Sequence, residues 1–102
     1  MNRSLEEKRA EVSALCRRFR VRRLAVFGSA LRVEFEPGRS DVDLLAEFEP
    51  MPPAEHARAY LGLAAALEDL LGAPVDLAEA SAIRNPYIRR EILETQRAIY
   101  AT

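Results

Sequence analysis

The chain is poor in several things, and each shortage closes a class of function. One cysteine, Cys16, stands alone among 102 residues. No internal disulfide can form, so this is not a disulfide-stapled secreted scaffold. No apolar run approaches the ~18 residues needed to cross a bilayer, and neither a membrane-spanning helix nor a membrane partner is expected. The opening MNRSLEEKRAEV is too charged for a secretory signal. These absences together predict a cytoplasmic protein. There is no GxxxxGK[ST] segment, so any phosphate chemistry does not use a P-loop. No repeat, low-complexity tract or internal linker interrupts the chain, and residues 1–102 read as one small domain.

What is present is unevenly charged. Residues 1–40 carry a net +5 and residues 41–102 a net −6, within an overall −1. The basic excess concentrates in Arg17-Arg18-Phe19-Arg20-Val21-Arg22-Arg23. Such a run could attract phosphates, but cations also suit a helix C-terminus. The solvated helix end is the preferred reading, and direct nucleic-acid binding is not expected.

Ser4 with Glu7 forms a capping box, and Leu5, Val12, Leu15, Cys16 and Phe19 share a stripe, so a first helix is predicted over 4–19. Cys16 falls on that stripe and reads as core. Residues 23–27 read as a strand ended by Gly28, with a brief helical turn over 29–34 and a loop at Pro37-Gly38. A second strand over 41–48 alternates: Val42, Leu44, Ala46 and Phe48 face the core, while Asp41, Asp43, Leu45 and Glu47 face a side at least partly wet. Prolines 50, 52 and 53 introduce a long helix over 54–71, with Ala57, Tyr60, Leu61, Ala64, Leu67 and Leu71 as its buried stripe and Gly72 as its terminator. Residues 74–78 give a third strand. Asn85-Pro86 starts another helix, buried through Ile88, Ile92 and Leu93, and residues 97–100 add an edge strand. The fold class predicted is α+β: a small mixed β-sheet with helices packed on one face.

Two aspartates at i and i+2 of a strand point to the same side, with β-carbons roughly 7 Å apart. Unshielded they repel. A hard divalent cation removes the conflict, since Mg²⁺ takes oxygen ligands and usually binds through one or two carboxylates plus substrate phosphates. Asp76 is the candidate third carboxylate: if Val75 and Leu77 face the helices, Asp76 faces the side of Asp41 and Asp43. Gly28-Ser29 lets a backbone approach a phosphate closely, and Ser29 adds a hydroxyl. Alone, Gly-Ser is a structural turn and Asp-x-Asp a solvated acidic pair. Their combination on successive strands is the informative feature.

Gly28-Ser29, Arg32 and Ser40-Asp41-Val42-Asp43-Leu44 resemble the signature of the DNA polymerase β-like nucleotidyltransferase superfamily. The length, Val75-Asp76-Leu77, Asn85-Pro86-Tyr87-Ile88 and Ile99-Tyr100 are similar to its minimal nucleotidyltransferase group. The resemblance implies two Mg²⁺ ions held by Asp41, Asp43 and Asp76, and a triphosphate held by Gly28 and Ser29, with Arg32 and Ser40 in the nucleotide-binding segment. It implies ATP or another NTP as donor and a hydroxyl as acceptor. It also implies a HEPN-type ribonuclease toxin as partner, neutralised by attachment of AMP to a tyrosine. The family often has glycine after the arginine that follows Gly-Ser; here Val33 stands there, which leaves the role of Arg32 open.

Two other readings compete. A catalytically weak or inactive antitoxin would mask its toxin by steric binding alone. A metal-dependent nuclease would also use a carboxylate pair, but explains Gly28-Ser29 less well. Among other polar residues, His56 reads as a surface histidine at the start of the long helix. Arg39 is either a phosphate contact or a counterion to nearby carboxylates. Arg89-Arg90-Glu91 reads as a solvated helix face.

Overall fold

A computed structural model describes residues 7–27 and 42–101. Helix α1 (Arg9–Arg18) leads into strand β1 (Val21–Phe27), and β2 (Val42–Phe48) is followed by the long helix α2 (Pro53–Leu71). Strand β3 (Val75–Glu79), a 3₁₀ turn (Ala80–Ala82), helix α3 (Pro86–Thr95) and strand β4 (Arg97–Ala101) complete the order. The sheet runs β3-β2-β1-β4. β1 pairs antiparallel with both β2 and β4, whereas β2 and β3 are parallel. A parallel pair needs a crossover, and α2 provides it. The result is the expected small mixed sheet of the α+β class.

Local chemistry sets the boundaries. Arg20 adopts a left-handed φ of 62° and turns the chain from α1 into β1. α2 opens with Pro53 at its first turn and closes on Gly72, whose φ of 65° needs no side chain to be accommodated. The Asn85 side-chain oxygen accepts from the N–H groups of Tyr87 and Ile88 at 2.9 and 3.3 Å and caps α3, with Pro86 in the first turn. β1 begins two residues earlier than the alternation suggested, because Val21 is buried and pairs with Phe48.

One sheet face carries the main core. Leu24 and Val26 of β1, Val42, Leu44 and Ala46 of β2, and Leu77 of β3 meet Val12 and Cys16 of α1 and Leu63, Leu67 and Leu71 of α2. Thus α1 and α2 form the helical layer, and the even positions of β2 are core as expected. Burial pushes the Cys16 thiol up to about 12, an effect the adjacent Arg17 only partly offsets.

The buried line of α2 differs from the expected stripe. Leu63 is fully buried, while Leu61 is 66% exposed. In Tyr60-Leu61-Gly62-Leu63 the apolar residues run more than halfway round the helix, so periodicity admits two phases. The chosen one places Gly62 against the Phe19 ring, where a β-carbon would come within 2.6 Å of the ring edge. Tyr60 packs at the core margin and donates its hydroxyl to the Leu77 carbonyl.

On the opposite face Ala25, Leu45 and Ile92 form a smaller cluster, edged by Phe27, Ala78, Ala80 and Ile83. Leu45 is therefore not part of a wet face, because α3 covers it. Ile92 alone buries α3; Ile88 and Leu93 remain 50% and 51% exposed, contrary to the stripe expected for that helix.

Candidate functional site

The face that carries the small cluster also carries the acidic residues. β2 and β3 are aligned so that Asp43 and Asp76 are register partners. Register partners on adjacent strands lie side by side on one face, about 5 Å apart at the backbone. Val75 is half-buried and Leu77 buried against the helices, so alternation turns Asp76 to the other side. Asp76 is exposed and Asp43 partly so. The two carboxylates therefore converge as the alternation in each strand implied.

The other neighbour of Asp43 is Phe27, its partner across the β1–β2 ladder. Phe27 is the last residue of β1, and Gly28 follows it. The Gly28-Ser29 bend thus leaves the sheet directly beside Asp43. Gly28, Ser29, Arg32, Ser40 and Asp41 themselves lie outside the described residues. The helical turn over 29–34, the Pro37-Gly38 loop, Val33, Arg39 and the Ser4 cap lie outside them too. Asp41 precedes β2 by one residue, and the Val42 N–H donates to the Pro74 carbonyl at 2.9 Å, fixing that end of β2 against the entry to β3.

Two carboxylates side by side on an open sheet face suit a hard cation and repel each other without one. Among the described residues no group of three or more His, Cys, Asp or Glu forms a metal cage. Asp43 and Asp76 would hold a cation together with oxygens supplied from elsewhere. The apolar residues beside them, Leu45, Phe27 and Ala78, give the pair a dry flank.

Sequence reasoning missed a second polar pair. His56 Nε2 lies 2.5 Å from Glu79 Oε1, and the His56 ring tilts against Phe48 with centroids 5.2 Å apart. The pair divides two concavities. One of about 580 Å³ is lined by Met51, Pro53, Ala57, Tyr60 and Leu61; the other, of about 320 Å³, by Phe48, Ser81 and Arg89. Glu79 stands three residues beyond Asp76, about 10 Å along β3, so neither hollow belongs to the carboxylate site. His56 is thus a tethered residue rather than a free surface one. Its partner lies 23 residues away, across the turn of a helix, and no local signal marks it.

The model of the family described as "Nucleotidyltransferase domain" matches residues 10–99. The chain belongs to the nucleotidyltransferase domain family. Among similar nucleotidyltransferases, the protein adenylyltransferase MntA of Thermococcus cleftensis is 40% identical over 76 residues, which span 74% of this chain and 73% of that one. A Methanocaldococcus jannaschii protein, provisionally named a protein adenylyltransferase, is 40% identical over 77 residues, 76% of this chain and 74% of its own length. A solved structure described provisionally as a minimal nucleotidyltransferase superposes with a TM-score of 0.68 at 35% identity, covering 93% of this chain and 92% of that one. A toxin–antitoxin structure with AMP-PNP has the same fold, with a TM-score of 0.69 at 18% identity, over 92% of this chain and 73% of that one. The nucleotidyltransferase fold expected from the Gly-Ser and Asp-x-Asp signature is therefore the fold found, and the protein is a nucleotidyltransferase that takes a nucleotide as substrate. Among the described residues no helix is long and apolar enough to cross a membrane.

Proposed function

We propose that this nucleotidyltransferase transfers AMP from ATP to a hydroxyl of a partner protein, a tyrosine of a HEPN-type ribonuclease toxin, and thereby acts as its antitoxin in the cytoplasm. Residues 1–102 act as a single domain in this reading. The observation that carries it is the register of Asp43 with Asp76, beside the point where β1 gives way to Gly28. The name of the Thermococcus relative and the toxin–antitoxin assembly of a fold neighbour, MntA–HepT, support the choice of acceptor.

Asp41, Asp43 and Asp76 are assigned to two Mg²⁺ ions. When bound, such ions neutralise the phosphate charge and acidify the acceptor hydroxyl. Gly28 and Ser29 are assigned to the triphosphate, with Arg32 and Ser40 flanking it. Asp76, being exposed, is placed to take the hydroxyl proton as the oxygen attacks the α-phosphorus and the bond to pyrophosphate breaks. Positioning and charge neutralisation supply most of the rate in phosphoryl transfer. The open sheet face encloses nothing by itself, so the partner protein completes the site.

The test is transfer of label from α-labelled ATP to the helical protein encoded beside this chain, with and without Mg²⁺. An AMP-sized mass gain on the partner, lost with Asp43→Ala and with Asp76→Ala while both variants keep the parent's circular dichroism, is the expected result. A stable complex without any mass gain would overturn catalysis in favour of steric masking.

A further inference from the structure

We infer that the outer face of α3 is the contact through which two copies of this chain pair. Four large apolar side chains are exposed among the described residues, and three of them, Tyr87, Ile88 and Leu93, sit on this one helix of 10 residues. Tyr87 is 84% exposed. Only Ile92 anchors the helix to the sheet, so most of its apolar surface has nothing over it in a single chain.

The charges on α3 identify the occupant. Arg89 and Arg90 come first and Glu91 and Glu94 follow. That order opposes the helix's own dipole, which favours anions in the first turn and cations in the last. α3 has neither an acidic residue in its first turn nor a basic one in its last. A helix that is basic and then acidic is complementary to itself when turned end for end. An antiparallel α3 from a second copy, centred between Arg90 and Glu91, sets each Arg90 against the Glu91 of the other copy. It also brings the neighbour's glutamates to this helix's N-terminus and its arginines to the C-terminus. The contact is isologous, with the same patch used twice, as closed dimers require. A uniformly acidic or basic partner would satisfy only half of the helix. Arg90 Nε is already 2.9 Å from Glu94 Oε1, but that pair is 80% and 63% exposed and open to a second ion pair.

A helix of this length is about 15 Å long. The contact therefore falls in the small class of interface, and the dimer is weak and concentration-dependent. Its formation does not depend on the chemistry assigned to Asp43 and Asp76, although α3 crosses the same sheet face.

Sedimentation velocity over a wide range of protein concentration tests the pairing. The expected result is a coefficient that climbs from monomer toward dimer as concentration rises. Leu93→Glu, at a half-exposed position, should keep the circular dichroism of the parent and move the midpoint at least tenfold higher. Arg90→Glu and Glu91→Arg should each weaken self-pairing, the one by setting acid against acid and the other base against base. An equimolar mixture of those two variants should pair again, since both symmetric contacts are then complementary. A parent that stays monomeric throughout would overturn the inference. So would a dimer indifferent to all three substitutions, a mixture that fails to pair when the parent does, or α3 variants that alter only the binding of a different protein.

Discussion

Asp76→Asn should make the protein more stable in the absence of divalent cations while destroying its activity. The register puts the Asp43 and Asp76 backbones about 5 Å apart. Their carboxylates, splayed toward solvent, would stand at about 6 Å. Two unit charges at that distance repel by about 0.7 kcal/mol in bulk water and by ~1.4 kcal/mol if the effective dielectric is halved. Asp76 is exposed, so the lower end applies, and removing its charge should return about 0.5–1 kcal/mol. For a domain of this size that corresponds to a rise in Tm of about 2–8 °C. The assay is thermal unfolding in EDTA and then in millimolar Mg²⁺. The parent should gain stability with the ion, as any protein does that binds a ligand only when folded, and Asp76→Asn should gain much less. A variant no more stable than the parent in EDTA, together with equal responses to Mg²⁺, would refute the reasoning.

Cys16 and Gly62 give two further expectations. With its thiol held up to about 12 by burial, against an ordinary 9.0, Cys16 stays protonated in the folded protein. The folded state then holds more protons than the unfolded one between those values, so stability should be constant below pH 9 and fall above it. The slope is at most ~1.4 kcal/mol per pH unit, and denaturant melts of parent and Cys16→Ala from pH 8 to 11 should diverge accordingly. Gly62→Ala would gain about 1 kcal/mol from helix propensity alone. Here the new β-carbon meets the Phe19 ring at 2.6 Å, and overpacking of that kind costs about 1–3 kcal/mol. The net expected is a loss of about 1 kcal/mol by urea unfolding, reversed to a gain when Phe19→Leu is introduced as well.

The carboxylate pair was legible because strands alternate. Leu77 needed a core, so Asp76 had to face away from it, and the same parity placed Asp43. The alignment of β2 with β3 was not legible, since it depends on where α2 delivers the returning chain. α2 itself shows the limit of periodicity: leucines or alanines at 57, 59, 61, 63, 64, 65, 66 and 67 satisfy more than one buried stripe, and contact with Phe19 decides among them. α3 misled for the opposite reason. Its apolar residues were read as burial, yet the sheet offers room for Ile92 only. The His56–Glu79 pair joins the start of one element to the end of another, and nothing short-range announces it. At the nucleotide end, Gly28, Ser29 and Asp41 rest on the resemblance of their motif, supported by where β1 ends and β2 begins.

β3 is an outermost strand of the sheet, and two of its backbone groups are already engaged by α2. The Val75 N–H is held by Glu68 at 2.9 Å, and the Leu77 carbonyl by the Tyr60 hydroxyl. A foreign strand arriving at this margin would have to evict both side chains before it could dock. The molecule thereby carries its own stoppers against runaway end-to-end polymerisation on that side, a hazard that bare sheet borders invite. Growth of the sheet by stacking further chains beyond β3 is closed off in the native state, and a chain only 102 residues long can remain dispersed when it is abundant.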